Sequence, residues 1–455
     1  MIWFLAIALL LGLALALQAG LVAFAGYVLL GVFLVSRFLA RSWVHNLHAE
    51  RQCDATPREV GESTEVIVSL RNTGAIPILW VLVEDLLPDR ATGQKSARLS
   101  VKGKRLQVVS LGPHKLKTFK YSVTFQMRGY YPLGPTLLET GDVFGLHRRH
   151  RVVGTPVYVM VYPKIVPLPK YDFASARPVG EVRLQNRLFE DPTRTAGVRE
   201  YQLGDPLQRV HWKVTARMGV LHCRVYEPTS LAGATLLVDF HSDGYQNRSE
   251  PDRSNLVVTT AASIAYAVSM LNQQIGLACN GRDAADRIRE ESLAEESAPD
   301  GGYETRDAAR DRFELRDEND RIRPVVVDTR RGFDQFQRIR ELLARLELTD
   351  AFQFSQLALE MAARIPRDAT VIALLPRVPI ESAVALGTLR RQGFAVTAIL
   401  IGLSESEKLE AHGRLLTETV RDIRYLNTEE ELSDLGSGAA ATGTVAGYAV
   451  DVPLV

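Results

Sequence analysis

Apolar residues fill almost every position of the first 39 residues. The strongly polar exceptions between positions 2 and 39 are Gln18, Ser36 and Arg37. About 20 apolar residues cross a bilayer core as a helix, so this stretch is long enough to cross twice. The pattern predicts a transmembrane helical hairpin with spans at Ile2–Leu17 and Leu21–Leu39 and a very short turn between them.

Basic residues follow the second predicted span. Arg37, Arg41 and Arg51 place that side in the cytoplasm by the positive-inside rule, and Trp43 is expected to anchor at the interface. A cleaved signal peptide followed by one span, or a single long tilted span, are the alternatives. The first residues lack the basic group that opens a signal peptide. We expect a location in the cell inner (cytoplasmic) membrane, with the soluble domains facing the cytoplasm.

Short apolar or alternating runs, separated by turn residues, fill positions 58 to 165. The predicted strands are Glu65–Leu70, Ile78–Glu84, Arg105–Leu111, Thr118–Phe125, Leu137–Thr140 and Val157–Tyr162. Regular short strands with turn signals between them are typical of an antiparallel β-sandwich. The sequence therefore predicts an Ig-like sandwich next to the membrane.

From position 234 the pattern alternates between buried strands and helices. The predicted strands are Ala234–Phe240, Thr370–Leu375 and Ala395–Ile401. The predicted helices are Ser254–Gln274, Gly332–Leu346, Gln353–Arg364 and Ile380–Gln392. Such alternation implies a parallel sheet covered on both faces, so the C-terminal domain is predicted to be doubly wound α/β.

Two stretches lack this periodicity. Residues 281–323 are rich in Arg, Asp and Glu and are expected to be a solvated or disordered insertion, helical in part. Apart from Val445, Gly436 to Gly447 contains only Gly, Ala, Ser and Thr. The predicted organisation is a transmembrane hairpin (1–40), a β-sandwich (41–170), an Arg-rich segment (171–232), an α/β domain (233–435) with the charged insertion (281–323), and a flexible tail (436–455).

Composition excludes one class of partner. The 455 residues fit about three structural units. There are 54 lysines and arginines against 53 acidic residues, so the chain has no electrostatic footprint of a nucleic-acid-binding protein. Cys53, Cys223 and Cys279 lie far apart and form neither a disulfide framework nor a zinc motif. Their scarcity favours a reducing compartment.

The most distinctive run lies between Gly197 and Glu227. It resembles the pattern of the domain of unknown function 58 family at these positions: Gly197, Arg199, Glu200, Tyr201, Gly204, Asp205, Arg209, Trp212, Lys213, Ala216, Arg217, Gly219 and Leu221. Three upstream runs look like the same family: Arg128-Gly129-Tyr130, Leu133-Gly134-Pro135 and Asp142-Val-Phe-Gly-Leu146.

The resemblance implies a membrane hairpin, an Ig-like sandwich and a von Willebrand factor A-like α/β domain. It supplies no biochemical activity. Proteins of this kind are often encoded beside MoxR-type AAA+ ATPases, which makes such an ATPase the expected protein partner.

Two interpretations of the Arg-rich run remain open. Its cations are Arg199, Arg209, Lys213, Arg217 and Arg224, and its anions are Glu200, Asp205 and Glu227. Arginine pairs bidentately with carboxylates, so the run is either an ion-pair joint or a recess that recognises an anion or an acidic partner. Trp212 and Tyr201 are expected to pack, and His211 to lie in a strand.

The loop after the first α/β strand is the candidate metal site. The von Willebrand factor A-like resemblance implies a D-x-S-x-S loop that holds Mg²⁺. Here the loop is Asp239-Phe-His-Ser-Asp243, so His241 and Asp243 replace the serines and an intact Mg²⁺ site is not expected. Asp239, His241 and Asp243 remain candidates for another divalent ion, beside a simple role in ending the strand. No resident cofactor is predicted.

Catalytic motifs are lacking in the sequence: there is no G-x-S-x-G elbow, Walker A loop, HExxH or dinucleotide fingerprint. The leading hypothesis is a non-enzymatic, membrane-anchored interaction protein that binds its partner at the carboxyl ends of the α/β strands, where open sheets carry their sites. A metal-dependent enzyme using Asp239, His241 and Asp243, and a structural envelope component, are the alternatives. The oligomeric state is left open.

Overall fold

The computed structural model describes nine stretches of the chain: 20–88, 97–145, 147–168, 190–202, 210–228, 233–245, 250–289, 323–367 and 369–434. The first predicted span, Ile2–Leu17, and the predicted tail, 436–455, lie outside these residues. The prediction of a chain that mixes an N-terminal apolar helix with several strand-rich and helical parts is confirmed.

The second predicted span is a helix, α1, at Gly20–Asn46. Its part at Phe24–Asn46 has a mean hydropathy of 1.5 and is, among the described residues, the one helix long and apolar enough to cross a membrane. Large apolar side chains on it are exposed: Leu21, Phe24, Tyr27, Val28, Leu29, Leu34, Val35 and Phe38. Exposed apolar surface on this scale is consistent with contact to lipid.

The C-terminal half of α1 also carries a buried face. Phe33, Ser36, Ala40 and Trp43 are buried, and Trp43 belongs to the apolar core of the adjoining β-sandwich. The expectation that Trp43 anchors at the membrane interface is therefore wrong. The helix continues directly into the sandwich, which draws the tryptophan into its core.

Among the described residues, eleven strands build the domain that follows α1. They are β1 Leu47–Cys53, β2 Arg58–Glu59, β3 Ser63–Asn72, β4 Ile78–Asp85, β5 Leu99–Gly103, β6 Leu106–Leu111, β7 Leu116–Phe125, β8 Gly129–Leu133, β9 Thr136–Gly141, β10 Arg148–Val153 and β11 Val157–Tyr162. Two antiparallel sheets, β1-β3-β7-β5 and β10-β9-β4-β6, share one apolar core, and a third sheet, β2-β11-β8, adjoins it. Alternation explains the core, since Val66, Val68 and Leu70 of β3 all point inward.

The family segment contributes β12 at Glu190–Glu200, a short helix α2 at Trp212–Met218, and β13 at His222–Pro228. The C-terminal part contains helices α3 Asp252–Met270, α4 Phe333–Arg345, α5 Phe354–Met361, α6 Ile380–Arg391 and α7 Glu405–Thr417. Its strands are β14 Gly233–Val238, β15 Gln274–Cys279, β16 Arg282–Asp283, β17 Val325–Arg330, β18 Leu346–Glu347, β19 Ala369–Leu375, β20 Ala395–Ile401 and β21 Asp422–Leu426.

Six of these strands form one sheet in the order β17-β15-β14-β19-β20-β21. All neighbours are parallel except β17, which runs antiparallel at one edge. Leu236 and Val238 face a core made with α3 and α4, while Leu237 faces a second core made with α5, α6 and α7. Helices therefore cover both faces, which explains why every position of the central strands β14 and β19 is buried.

The start of the predicted charged insertion is not solvated. Arg282 and Arg287 are buried, and Arg287 pairs with both carboxylate oxygens of Glu347 at 2.9 and 3.1 Å. Arg345 makes a similar pair with Asp283. The expectation for 281–323 is wrong over 281–289, because β18 and α4 supply the opposite charges; residues 290–322 lie outside the described part of the chain.

One arginine of the sandwich fastens it to the α/β domain. Arg128 donates to the carbonyl oxygens of Leu343 and Leu346, at 2.9 and 2.7 Å, and its guanidinium lies 5.4 Å from the ring centroid of Phe240. A cation at the C-terminal end of α4 satisfies its last carbonyls and interacts favourably with the helix dipole. The Val166 N–H also donates to Ser263 Oγ at 2.9 Å. The sandwich is therefore fixed against the α/β domain rather than loosely linked to it.

Candidate functional site

The family segment folds as a β-hairpin with a helix inserted between its strands. β12 and β13 pair antiparallel, with Arg199 opposite Cys223 and Glu200 opposite His222. The His211 N–H donates to the His222 carbonyl oxygen at 2.7 Å, which brings α2 back to the start of β13. We call this unit, residues 197–202 and 210–228, the family hairpin.

Local contacts define both ends of α2. His211 Nδ1 accepts a hydrogen bond from the Val214 N–H at 3.3 Å, so His211 caps the helix rather than lying in a strand as expected. Gly219 ends the helix with φ at +71°, a conformation that favours glycine, and its N–H donates to the Thr215 carbonyl. The helix is therefore held by its own caps.

The outer side of the family hairpin is both apolar and cationic. Trp212 is 66% exposed and Met218 is 65% exposed, and no residue of α2 is buried. Further exposed apolar residues are Val198, Val220 and Leu221. The exposed cations include Lys213, Arg217 and Arg224. Large apolar side chains surrounded by charge are typical of a surface that a partner covers.

Two of those cations repel each other in the free protein. Lys213 and Arg217 are four residues apart on α2 and therefore adjacent on its surface, where like charges destabilise a helix by about 0.2–0.5 kcal/mol. Trp212 does not pack as expected, whereas the half-buried Tyr201 donates its N–H to the Leu221 carbonyl. Gly204, Asp205 and Arg209 lie outside the described residues.

The predicted metal loop lies at the carboxyl end of β14. Asp239 is buried, and its Oδ1 accepts hydrogen bonds from Asn280 Nδ2 at 2.9 Å and from the His241 N–H at 3.2 Å. Burial raises the pKa of the Asp239 carboxyl above its ordinary value, while these two hydrogen bonds act in the opposite direction. Asn280 was not predicted, although its place directly after β15 is the signal that could have found it.

His241 and Asp243 lie close together but do not complete a cluster with Asp239. His241 Nδ1 accepts from the Asp243 N–H at 3.2 Å and lies 3.6 Å from Asp243 Oδ2. Asp243 Oδ2 also accepts from Arg377 at 3.1 Å. Over the described ranges, no group of three or more His, Cys, Asp and Glu side chains is arranged to hold a metal ion.

A buried arginine ties the strand ends together at this edge. Arg253 donates to the carbonyl oxygens of Gly244 at 2.8 Å, Ile401 at 3.1 Å, and Pro376. Gly244 and Pro376 follow β14 and β19, and Ile401 is the last residue of β20. Arg253 lies in the first turn of α3, where a positive charge interacts unfavourably with the helix dipole. This unusual position is the sequence feature that points to another role for Arg253. The carboxyl edge is thus closed by internal hydrogen bonds.

Comparison with known proteins identifies the segment. Residues 197–292 match the family model described as "Protein of unknown function DUF58". This part of the chain belongs to the DUF58 family. The predicted family resemblance is therefore confirmed, and the family hairpin is the start of the matched region.

A relative from Bacillus subtilis (strain 168), "Uncharacterized protein YeaD", is 28% identical over 269 residues. The match spans 58% of this chain and 64% of that relative, which is less than two thirds of its length.

Solved structures overlap with parts of this chain. The "ASH / PapD-like domain of human CEP192" covers 26% of this chain and 84% of that one, at 13% identity and a TM-score of 0.18. The CARDB domain of a Pyrococcus furiosus protein covers 25% and 91%, at 20% identity and a TM-score of 0.17. Proximal thread matrix protein 1 from the mussel byssus covers 45% of each chain, at 12% identity and a TM-score of 0.27.

Proposed function

We propose that this DUF58 protein is a membrane-anchored, non-enzymatic interaction protein whose family hairpin recognises a protein partner. The exposure of Trp212 on α2 carries the proposal. Tryptophan and arginine dominate the binding energy of protein interfaces, and both occur on this hairpin with their side chains facing solvent. Binding would bury the tryptophan and bring an anionic group to Lys213 and Arg217.

The partner that we propose is a MoxR-type AAA+ ATPase, with a role in protein maturation or complex assembly. This part of the proposal rests on the family resemblance. We further propose that the sandwich is Ig-like and the α/β domain von Willebrand factor A-like; two packed antiparallel sheets and a 3-2-1-4-5-6 strand order support these assignments.

The hairpin is a better supported site than the carboxyl edge of the sheet. At that edge Arg253 and Asn280 are occupied with backbone carbonyls and with Asp239. On the hairpin, binding would cover apolar side chains already exposed to water, which is favourable at about 25 cal/mol per Å².

We propose that α1 holds these domains at the cytoplasmic face of the inner membrane. Arg37 and Arg41, near its C-terminal end, are both exposed. Positive charge on the side of a span that continues into the soluble domains supports this orientation.

The test is a titration of the purified MoxR-type ATPase from the same organism against the full chain in detergent. We expect Trp212→Ala to weaken binding by about tenfold or more, as hot-spot tryptophans do. Leu409→Ala is the matched control, since Leu409 is 64% exposed on α7. If the wild-type chain does not bind, the ATPase is not the partner; if Trp212→Ala binds as tightly as the wild type, the hairpin is not the surface.

Arg217→Ala separates recognition from a purely structural role. Because Arg217 is exposed, we expect its loss to weaken the complex while the melting temperature stays the same. A structural envelope component would show the reverse, with lower stability and an intact complex.

A further inference from the structure

The turn between β9 and β10 presents two large apolar side chains to the outside. Val143 is 56% exposed and Phe144 is 62% exposed. Asp142 fixes the turn: its Oδ2 accepts from the Phe144 N–H at 2.9 Å and its Oδ1 accepts from the His147 N–H at 2.6 Å. Gly145 follows with φ at +72°. The apolar tip is therefore held outward by the turn itself.

The hairpin of β9 and β10 lies along α1. Arg151 donates to the carbonyl oxygens of Val44 and Leu47, both at 3.3 Å. Four residues earlier, the His147 ring lies 4.9 Å from the Phe33 ring in an edge-on arrangement. β10 thus runs in the same direction as α1, and the turn before it extends past Phe33 towards the N-terminal end of the helix.

The N-terminal part of α1, before Arg37, contains no charged residue. At about 1.5 Å per residue, Phe33 lies about 6 Å along the helix on the N-terminal side of Arg37, the first charged residue of α1. Exposed apolar residues, including Leu29 at 50% and Leu34 at 52%, surround this level of the helix. The tip with Val143 and Phe144 therefore reaches the depth at which the helix surface is suited to lipid.

Basic residues follow the apolar tip directly. The sequence after the turn is His147-Arg-Arg-His-Arg151, and both Arg148 and Arg149 are exposed. Arg148 pairs with Glu139 at 3.5 Å, although its own side chain is 67% exposed. An apolar tip followed by cations is the pattern of a segment that lies in the membrane interface, where anionic headgroups attract lysine and arginine.

We propose that Val143 and Phe144 insert into the interface of the bilayer crossed by α1, with Arg148 and Arg149 bound to anionic lipid headgroups. The proposal rests on the membrane anchoring proposed above and adds a second contact point. Two contacts, the helix and the tip, fix the orientation of the sandwich and of the α/β domain docked to it.

The experiment places a fluorescent label on Phe144→Cys in the full chain reconstituted into phosphatidylcholine vesicles containing phosphatidylglycerol. Spin-labelled lipids in the bilayer quench a probe that lies in it. Labelled Leu29→Cys on α1 reports on the anchor, and labelled Leu409→Cys on α7 reports on the soluble part. The wild-type chain treated with the same label gives the background from Cys53, Cys223 and Cys279.

We expect quenching at positions 29 and 144 and none at position 409. Quenching at position 29 without quenching at position 144 would overturn the insertion of the tip and leave the anchor standing. Absence of quenching at both positions would overturn the membrane anchor itself.

The lipid charge is tested on the same labelled chain. Adding Arg148→Gln and Arg149→Gln is expected to lower quenching at position 144 in phosphatidylglycerol vesicles to the level seen with phosphatidylcholine alone. Quenching that stays equally dependent on phosphatidylglycerol would overturn the role of these arginines. Both arginines are exposed, so their removal is not expected to unfold the sandwich.

Discussion

Arginine lies both at the joint between the sandwich and the α/β domain and on the family hairpin, yet it has a different role in each. Arg128 at the joint donates to two carbonyl oxygens at the end of α4. Arg217 on the hairpin is exposed on a helix without a buried residue. Arginine at the joint holds domains together, whereas arginine on the hairpin is available to a partner. A basic, Arg-rich motif alone does not distinguish the two roles.

Two glycines of the family pattern extend this comparison. Gly134 in the sandwich and Gly219 on the hairpin have almost the same φ, +76° and +71°. A Cβ at Gly134 would lie 1.7 Å from Arg51 Nη1, while a Cβ at Gly219 would meet nothing within 4 Å. A side chain would strain the left-handed backbone at both positions, and at Gly134 it would in addition collide with Arg51.

Gly134→Ala is expected to have the largest effect on stability. The new methyl group would displace Arg51, which is buried and lies 3.7 Å from the buried Asp85 carboxylate. Breaking a buried ion pair typically costs about 3–5 kcal/mol, and the left-handed backbone adds about 1 kcal/mol. Urea unfolding of the full chain in detergent measures the loss. Gly219→Ala, expected to cost about 1 kcal/mol, is the matched control, and equal losses would contradict the comparison.

Arg128→Ala is expected to cost about 2–3 kcal/mol, because hydrogen bonds from a charged donor are worth about 1.5–3 kcal/mol each and overlap in effect. It should also increase hydrogen exchange at the end of α4. Arg391→Ala is the control, since Arg391 is exposed and pairs with Glu418 on the surface, where a pair is worth about 0–1 kcal/mol. If Arg128→Ala and Arg391→Ala have the same free energy of unfolding, the sandwich is not fastened through Arg128.

Local patterns predicted most elements that have a clear periodicity. Val157–Tyr162 and Ala395–Ile401 were predicted at their observed bounds, and the second predicted span is helical, as part of α1. β1 and β10 were missed because they carry charged residues, such as Arg51, whose partners lie elsewhere in the fold. Pairing that depends on distant residues leaves no local signal.

The candidate site shows the same limit. The sequence placed Trp212, Lys213 and Arg217 in one motif but could not tell a joint from an exposed surface, because exposure depends on what the rest of the chain covers. The contacts of Arg253 and Arg128 were missed because their acceptors are backbone carbonyls, which every residue carries. The motif was thus predictable, while its environment was not.

Asp239→Asn is expected to change the pH dependence of stability. Burial raises the folded-state pKa of Asp239 above 3.8, so the folded chain binds more protons than the unfolded chain just above that value. The wild type therefore loses stability as the pH rises through that window, whereas the asparagine variant does not. The free energy of unfolding is measured for both chains at about pH 4 and about pH 7. Relative to the wild type, the variant should be more stable at pH 7 than it is at pH 4. Asp243→Asn, on the exposed part of the same loop, is the control; a constant difference for Asp239→Asn would contradict the assignment.

Trp212→Ala is expected to have the smallest effect on the free energy of unfolding. The contrast between the exposed family hairpin and the packed joint at Arg128 depends on this effect being small. Truncating a tryptophan that packs between structural elements lowers the free energy of unfolding by about 3–5 kcal/mol, whereas surface substitutions change it by at most about 0.5 kcal/mol. At 66% exposure, Trp212 belongs to the second class. Trp43, buried in the sandwich core, is the matched tryptophan of the first class. If Trp212→Ala and Trp43→Ala lower the unfolding free energy equally, the family hairpin is a packed joint like the one at Arg128. If only Trp43→Ala does, Trp212 adds no packing energy to the fold and stays available to the proposed partner.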